Sequence, residues 1–247
     1  MTDDRAARPG HDFSATPLAK WVQPQHLAAG AVAALRRQFD SRPERLIHVD
    51  EFLLSHHVDA IRQVLLGDGV VEPAYKVAAR PGQARWIGRE EFDHTPDGER
   101  VIAEFIYRHP RPGRELAASI LTDVMFRREL QGDSFMGWLA AATGRPIRRC
   151  GTINLKLLDH SSMLRWHSDR NAGRLLCMVF YVHATWPEAF GGRFLMQRLD
   201  GGVEAVAPLC NRLVLFDPQV EVRHAVEDIA AAAGTHGRMN YSVWYYD

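Results

Sequence analysis

The sequence predicts an α+β fold in which helices of the N-terminal half pack outside an all-β core formed by the C-terminal half. Before Pro146, long stretches carry apolar residues at helical spacing. After Pro146, about seven short β-branched and aromatic runs alternate with turn residues, a spacing typical of a β-sandwich or barrel. Hydrophobic residues make up 46% of the 247 residues, which is enough for a substantial core.

The N-terminal half supplies the helices. We predict a flexible arm over residues 1–20, which mix charge, Pro and Gly without periodicity, followed by one domain over residues 21–247. The stretch QHLAAGAVAALRRQF predicts a first helix. LIHV then predicts a short strand, and the residues after it predict a helix that stops at the glycines of LLGDG. Residues 116–143 are helical by pattern and end at GRP, so helical support covers residues 21–146.

Residues 72–113 interrupt this helical half. They are rich in Arg, Pro, Gly and acidic residues, with one isolated apolar piece, VIAEFIY. The segment is either a long loop or a pair of strands, and it could cover an active site, because loops of this length are usually functional or disordered. The β core follows over residues 147–247, with strands expected in TINLKLL, LLCMVFYV, RFLMQ, VEAVA, RLVLF, EVRHAV and MNYSVWYY.

Charge and cysteine usage exclude several classes of protein. Lys plus Arg total 30 and Asp plus Glu total 30, and this zero net charge argues against a broad nucleic-acid or anionic-membrane partner. The three cysteines form no CxxC pair and are odd in number, which favours a reduced protein. The start of the chain lacks the apolar segment of a signal peptide, and no apolar run approaches the roughly 20 residues of a membrane helix. We therefore expect a cytoplasmic protein without a membrane partner.

Three His-x-Asp pairs occur in the sequence: His48–Asp50, His57–Asp59 and His167–Asp169. Side chains two residues apart project to the same side of a strand but diverge by about 200° on a helix. The second pair lies in a predicted helix, and in the first pair the aspartate is more simply the cap of that helix. Only His167 and Asp169 lie in the strand-rich half. We therefore take these two residues as candidate metal ligands.

A second imidazole would complete a triad of two histidines and one carboxylate, which leaves three open positions on an octahedral metal and is used by non-haem Fe(II) oxygenases. His224 is favoured among the downstream histidines because it lies in the short strand EVRHAV and precedes the terminal strand. On that terminal strand, Arg238, Asn240, Ser242 and Trp244 share one face. A buried guanidinium requires an anion and suits a carboxylate. A metal triad beside such a clamp matches a 2-oxoacid cosubstrate.

The C-terminal half resembles the Fe(II)/2-oxoglutarate-dependent dioxygenases, specifically the prolyl 4-hydroxylase-like branch. The similarity runs from about Phe135 to Asp247 through FMGWLAAATGRPI, LRWHSDRNAGRLLCMVFYVHATW, GGRFLM, APLCNRLVLFD, VRHAV and GRMNYSVWYYD. Upstream, LIHVDEFLLSHHVDAIRQVL looks like the strand and helix with which this family begins. The resemblance implies a double-stranded β-helix, or jelly roll, for the β core.

The resemblance also implies roles for individual residues. His167, Asp169 and His224 would bind Fe(II). Arg238 would pair with the distal carboxylate of 2-oxoglutarate, with assistance from Ser242. The implied cofactor and cosubstrates are Fe(II), 2-oxoglutarate and O2, with ascorbate as an optional reductant.

Further positions are implied by the same resemblance. Tyr181 stands where relatives often place a tyrosine beside the distal carboxylate, and Arg174 and Trp244 would lie on the substrate side. Leu157 stands where many relatives carry a tyrosine ten residues before the first metal-binding histidine, so a hydroxyl that would contact 2-oxoglutarate is missing. Asp169 is retained, whereas halogenating relatives have a small residue there, and this favours hydroxylation.

The expected activity is hydroxylation of an aliphatic C–H bond, coupled to decarboxylation of 2-oxoglutarate to succinate and CO2. Two substrate classes stay open: a prolyl or other residue of a protein or peptide, and an amino-acid-derived small metabolite. The rival hypotheses are a non-catalytic jelly-roll binding module and a cupin-like metalloenzyme that uses another metal. The sequence does not distinguish hydroxylation from desaturation or ring closure, and it does not give the oligomeric state.

Overall fold

The computed structural model describes residues 11–80, 83–113, 116–234 and 236–247. The helices of these residues are α1 (Ala29–Ser41), α2 (Ser55–Gln63), α3 (Arg89–His94), α4 (Ala118–Leu130) and α5 (Asp133–Thr143). The strands are β1 (Leu46–Val49), β2 (Gly69–Arg80), β3 (Gln83–Ile87), β4 (Arg100–Pro110), β5 (Arg149–Leu158), β6 (Met163–His167), β7 (Arg174–Tyr181), β8 (Phe194–Gln197), β9 (Val203–Val206), β10 (Leu213–Phe216), β11 (His224–Val226) and β12 (Arg238–Tyr246).

The strands form one antiparallel sheet that curls back on itself. Its main path runs β1-β10-β7-β12-β5-β4-β6-β11-β8-β9, and β2 adds to β4 and carries β3. The sheet turns where β4 pairs with both β5 and β6, so that β6, β11 and β8 come to face β5, β12 and β7 across one cavity. This architecture confirms the predicted α+β class and the jelly-roll arrangement of the core.

The helices pack on the outer face of the sheet, as predicted. The largest hydrophobic cluster joins side chains of α1, α2, α4 and α5 to β7, β10 and β12. Trp138 and Phe126 are buried at its centre, where Phe126 packs on Tyr241 of β12. Tyr241 also donates a hydrogen bond to Asp123, which is bound in turn by Arg127 of the same helix. These contacts anchor α4 to the strand that carries Arg238.

The N-terminal segment differs from its prediction. Residues 1–10 of the predicted arm lie outside the described residues. Phe13 and Leu18, in the remainder of that segment, are buried in the main cluster, because their apolar side chains fill the space beside α5. The region predicted as one helical stretch over residues 116–143 consists of α4 and α5, which are separated at Gly132.

Of the two alternatives for residues 72–113, the structure shows strands. β2 and β4 pair along most of their lengths, and β3 extends this pairing outward. Residues on the inner face of this extension, including Lys76, Trp86 and Glu104, form one wall of the cavity. The segment therefore contributes to the site through a sheet rather than a long loop.

None of the helices in the described part of the chain combines the length and the hydrophobicity that spanning a membrane requires.

Candidate metal and cosubstrate site

The curled sheet surrounds an open cavity of about 1260 Å³. Both histidines of the predicted triad come from neighbouring strand ends within it. His167 is the last residue of β6 and His224 is the first residue of β11, and the two residues are direct partners in the antiparallel register. Their ring centroids are 4.3 Å apart. The strand pairing therefore brings together two imidazoles that are far apart in the sequence.

Asp169 lies just beyond the end of β6 and completes the cluster. One ligand atom from each of His167, Asp169 and His224 lies within 4.8 Å of the others, and His224 Nε2 is 3.7 Å from Asp169 Oδ2. The indole of Trp244 donates a hydrogen bond of 2.9 Å to Asp169 Oδ2. Arg174 Nη1 is 3.3 Å from Asp169 Oδ1. The carboxylate is therefore fixed in position by two neighbours that are not themselves metal ligands.

The protonation states in this cluster are those that metal ligation requires. Burial lowers the pKa of His224 to about 3, and it lowers the pKa of His167 as well. Burial alone would raise the pKa of Asp169, but the two histidines and the Trp244 hydrogen bond bring it down to about 2. At neutral pH the cluster therefore holds two neutral imidazoles and one carboxylate.

The donor set fits Fe(II). His167 Nδ1 donates to the carbonyl of Arg165 at 2.7 Å, and since a carbonyl can only accept, Nε2 of this ring is left unprotonated for a metal. Two imidazole nitrogens and one carboxylate oxygen on one side of a cavity form the facial arrangement of non-haem iron sites. The described residues thus provide a site into which such an ion fits.

Arg238 lies elsewhere on the wall of the same cavity and is 2% exposed. Its guanidinium donates hydrogen bonds to the Gly192 carbonyl (2.8 Å), to Asn240 Oδ1 (2.8 Å) and to the Tyr181 hydroxyl (2.9 Å). A Cβ at Gly192 would lie 3.2 Å from Arg238 Cδ, so a glycine allows this close approach. Among the described residues no carboxylate pairs with Arg238, and the buried charge is available to an anionic ligand.

Tyr181 and Ser242 both lie near Arg238, but in different environments. Tyr181 is fully buried and contacts the guanidinium from beneath, without lining the cavity. Ser242 lines the cavity, and its hydroxyl accepts a hydrogen bond of 3.1 Å from Asn240. Alternation along β12 predicts that Asn240 lies on the same face as Arg238 but does not indicate its role. In the structure, Asn240 accepts a hydrogen bond from the Arg238 guanidinium and helps to hold it in place.

Arg174 and Trp244, which were predicted to lie on the substrate side, line the cavity, and both also contact Asp169. The guanidinium of Arg174 lies 5.2 Å from the ring centroid of Trp244, so the two side chains form one layer against the carboxylate. The sequence alone does not indicate this contact. Period-two alternation placed Trp244 on the inner face of β12, but it could not identify the group that the indole meets.

The structure predicts that Trp244→Phe will bind Fe(II) about 10- to 100-fold more weakly, because outer-shell partners orient metal ligands and this change removes the indole donor to Asp169 while it keeps an aromatic ring beside Arg174. The affinity can be measured by titrating the iron-free protein with Fe(II) under anaerobic conditions. Trp166→Phe is the matched control, since Trp166 lines the same cavity and makes no indole hydrogen bond among the described residues. Equal loss in both variants would contradict the role of the indole.

Leu157 does not occupy the position that the resemblance suggested. Its side chain packs with the main hydrophobic cluster outside the cavity, whereas Lys156 and Leu158 face inward. The inward face of β5 carries Thr152, Asn154 and Lys156, so the alternation of polar residues in TINLKLL was the signal of this phase. The expected loss of a cosubstrate contact at Leu157 is therefore wrong, and the polar residue next to it on β5, Lys156, is the one that faces the cavity.

The other two His-x-Asp pairs are not part of this cluster. Asp59 projects from α2 and pairs with Arg62. Asp50 was interpreted as a helix cap, and this interpretation is wrong: both of its carboxylate oxygens are bound by Arg212, and the capping position of α2 is Leu54.

Comparison with known protein families matches residues 153–246 to the family described as "2OG-Fe(II) oxygenase superfamily". The matched residues contain all three members of the candidate triad and Arg238. Residues 153–246 belong to the 2OG-Fe(II) oxygenase superfamily. The matched residues include most of β5 and all of β6 to β12, which form much of the cavity, whereas β2, β3 and β4 complete its wall from outside the match.

A curated relative and several solved structures extend this comparison. The mouse prolyl 3-hydroxylase OGFOD1 is 22% identical over 125 residues, which cover 48% of this chain but only 23% of that protein. A prolyl 4-hydroxylase from Pseudomonas putida has a TM-score of 0.55 at 18% identity and covers 87% of this chain and 98% of that chain. A Trichoplax adhaerens prolyl hydroxylase, in complex with a hypoxia-inducible-factor peptide, has a TM-score of 0.57 at 15% identity, with coverages of 87% and 92%. These similarities show that this chain, including helices outside residues 153–246, has the same fold as the two solved structures.

The buried residue His183, which is a neighbour of Tyr181, provides a test of how stability depends on pH. Its Nδ1 accepts a hydrogen bond from the Met239 amide at 3.3 Å and its Nε2 donates to the Pro208 carbonyl, and burial lowers its pKa from 6.5 to about 4. Because the unfolded chain binds this proton more tightly, the contribution of His183 to stability is complete above about pH 6.5 and is lost as the pH falls toward 4.

We therefore predict that the unfolding free energy of the iron-free protein falls by roughly 1.4 kcal/mol per pH unit in that window on account of His183 alone. Urea denaturation between pH 7 and pH 4.5 measures the slope. His183→Gln keeps one donor and one acceptor but does not titrate, and its slope should be shallower by this amount. An unchanged slope would show that His183 is already protonated in the folded state.

Proposed function

We propose that this chain is an Fe(II)- and 2-oxoglutarate-dependent oxygenase that hydroxylates an aliphatic C–H bond. One observation carries the proposal: a two-histidine, one-carboxylate cluster and a buried arginine without a carboxylate partner among the described residues face the same cavity. A metal cluster alone would suit many enzymes. The added guanidinium is the group that a dicarboxylate cosubstrate needs. The membership of residues 153–246 in the oxygenase superfamily supports the same conclusion.

His167, Asp169 and His224 would hold Fe(II) on one side and leave its opposite side open to the cavity. When bound, the ion supplies the activation of O2, and the overall reaction converts 2-oxoglutarate, O2 and R–H into succinate, CO2 and R–OH. Trp244 and Arg174 hold the Asp169 carboxylate in one orientation during this reaction. The protein thus fixes the geometry of the ligands before any substrate arrives.

Arg238 would bind the distal carboxylate of 2-oxoglutarate through its charge and its remaining N–H donors. Asn240, Tyr181 and the Gly192 carbonyl hold the guanidinium in place, so little conformational freedom is lost on binding. Ser242 offers a hydroxyl on the same strand face. Tyr181 acts as a positioning residue in this proposal, because it contacts the guanidinium and not the cavity.

Two substrate classes are compatible with this reaction: a prolyl or other residue of a peptide, and a small amino-acid-derived metabolite. The similar proteins described above are prolyl hydroxylases, which favours the first class. A reducing compartment such as the cytoplasm is supported by Cys150, Cys177 and Cys210, which are all free thiols.

The proposal can be tested without a substrate. Fe(II) and then 2-oxoglutarate are added anaerobically to the metal-free protein, and a weak visible charge-transfer band of the chelate is expected. The band reports metal, cosubstrate and their shared site in one measurement. If iron binding is shown independently and 2-oxoglutarate gives no band, the proposal is contradicted, and a metalloenzyme of another kind or a binding module takes its place.

A further inference from the structure

The cavity holds more positive charge than the metal and cosubstrate sites account for. Its described charged lining residues, histidines aside, are six cations and three carboxylates: Lys76, Lys156, Arg170, Arg174, Arg223, Arg238, Glu99, Glu104 and Asp169. Fe(II) and 2-oxoglutarate carry opposite charges of equal size, so their binding leaves this excess unchanged. The remaining positive charge therefore favours a further anion in the cavity.

Most of these cations already have partners. Lys156 Nζ is 2.9 Å from Glu104 Oε1, Arg174 pairs with Asp169, and Arg170 pairs with Glu221. Arg238 is the proposed cosubstrate anchor. Arg223 is exposed to solvent and donates to a backbone carbonyl. Lys76 remains as the half-buried cation that forms no ion pair among the described residues.

Lys76 is placed close to the metal site by the sheet. It is the register partner of Ile102 on β4, which pairs in turn with Leu164 on β6, the strand that ends at His167. Its ammonium lies 4.3 Å from the ring centroid of Trp86 on β3, so the aromatic ring covers one side of the charge. Burial and the nearby Lys156 lower the pKa of Lys76, although Asp169 and Glu104 act in the opposite direction.

The use of lysine here is itself informative. The chain contains 27 arginines and only three lysines, and two of the three, Lys76 and Lys156, line this cavity. Arginine serves nearly everywhere else that the chain needs a cation. A lysine ammonium is a compact point charge with three rotatable donors, which can follow a single oxyanion in a confined space. The two positions thus differ in chemistry from the rest of the charged residues.

Glu104 provides a complementary group next to this charge. Its side chain is buried and lines the cavity, and Oε2 accepts no hydrogen bond from the described residues. A buried carboxylate oxygen without a donor is costly, and a ligand that donates an N–H or O–H removes that cost. The wall formed by β2, β4 and β5 therefore offers one cation and one acceptor within the same cavity.

Resting on the proposed function, we propose that the substrate is a small molecule with an anionic group, a carboxylate or a phosphate, that binds Lys76 while its aliphatic carbon reaches the metal. A hydrogen-bond donor of the same molecule binds Glu104. A prolyl residue within a peptide has neither a charge to pair with Lys76 nor a backbone N–H to donate to Glu104. The anionic group is the shared chemistry of amino-acid-like and phosphorylated metabolites, and binding experiments can separate these two sources.

The test uses the protein loaded with Zn(II) and 2-oxoglutarate, because Zn(II) has no redox chemistry and nothing is consumed. Calorimetry compares small aliphatic carboxylates with their primary amides, and alkyl phosphates with their parent alcohols. We expect at least one anion series to bind about tenfold tighter than its neutral counterpart, a difference of about 1.4 kcal/mol, since only the anion pairs with the ammonium. Lys76→Gln should abolish this preference, and Lys76→Arg, which keeps the charge but not the compact ammonium, should retain part of it. Lys20→Gln is the control, since Lys20 is exposed and remote from the cavity.

The outcomes separate this proposal from the proposed function. If the wild-type protein forms no Fe(II) chelate with 2-oxoglutarate, the proposed function fails before the question of substrate arises. If the chelate forms and neither anion series is preferred, or if the preference survives in Lys76→Gln, the anionic site is wrong. Equal oxidation of an uncharged, end-blocked prolyl peptide by wild type and Lys76→Gln would also overturn it and assign the cavity to peptides.

Discussion

Asp169→Ala is expected to abolish Fe(II)-dependent consumption of 2-oxoglutarate. The change removes the one carboxylate of the triad and leaves two neutral imidazoles, which provide one ligand fewer and no negative charge to balance that of the ion. It also leaves the Trp244 indole without its acceptor. Succinate formation and the visible band of the anaerobic chelate should both disappear.

The matched control for this prediction is Asp59→Ala, which removes the aspartate of another His-x-Asp pair. Asp59 lies on α2, outside the cavity, and pairs with Arg62 on the surface. We expect the control to keep full turnover and to lose little stability, since exposed ion pairs are worth about 0–1 kcal/mol. Retention of activity in Asp169→Ala, with the protein folded, would remove the triad assignment.

Arg238→Met is expected to weaken the binding of 2-oxoglutarate on the order of a hundredfold or more. The substitution removes a buried charge and the N–H donors that would pair with the distal carboxylate, and each charge-assisted hydrogen bond is worth about 1.5–3 kcal/mol. Fe(II) affinity should change little, because Arg238 contacts none of the three ligands. The apparent KM for 2-oxoglutarate and the Fe(II) affinity measure the two effects separately.

Arg238→Lys and Arg212→Met complete this experiment. The lysine variant keeps a charge but not the forked geometry that Asn240 and Tyr181 hold in place, so we expect an intermediate KM. Arg212 is also buried, but it pairs with Asp50 away from the cavity. A rise in KM for Arg212→Met equal to that for Arg238→Met would mean that the loss reflects general destabilisation.

The sequence was most informative where a side-chain pattern and an element type agreed. Helical periodicity excluded His57 and Asp59 as joint ligands, and both lie on α2. Alternation on the terminal strand put Arg238 and Trp244 on one face, and both line the cavity. Neither inference needed the tertiary structure, because each depends only on the geometry of one element.

Features that depend on pairing between distant strands could not be predicted in the same way. Lys156 meets Glu104 only because β5 lies beside β4, and nothing in either strand indicates its neighbour. The inward contact of Arg174 with Asp169 depends on how the chain turns between β6 and β7. The error at Leu157 had a different cause. When a sequence is compared with its relatives, a shift of one residue along a strand moves each side chain to the opposite face of the sheet.

The direct pairing of His167 with His224 has a consequence for cohesion of the barrel. β11 has only three residues, yet it joins β6 to β8 and thereby holds one wall of the cavity together. An ion held by both histidines would act as a cross-link between β6 and β11, closing the long intervening segment into a loop and restricting the unfolded chain. Removal of the ion should therefore loosen these strands before the helical side of the molecule, with faster amide hydrogen exchange in β6, β8 and β11 than in β7 and β12. The two histidines proposed to bind the metal would therefore also hold together the strands of this cavity wall.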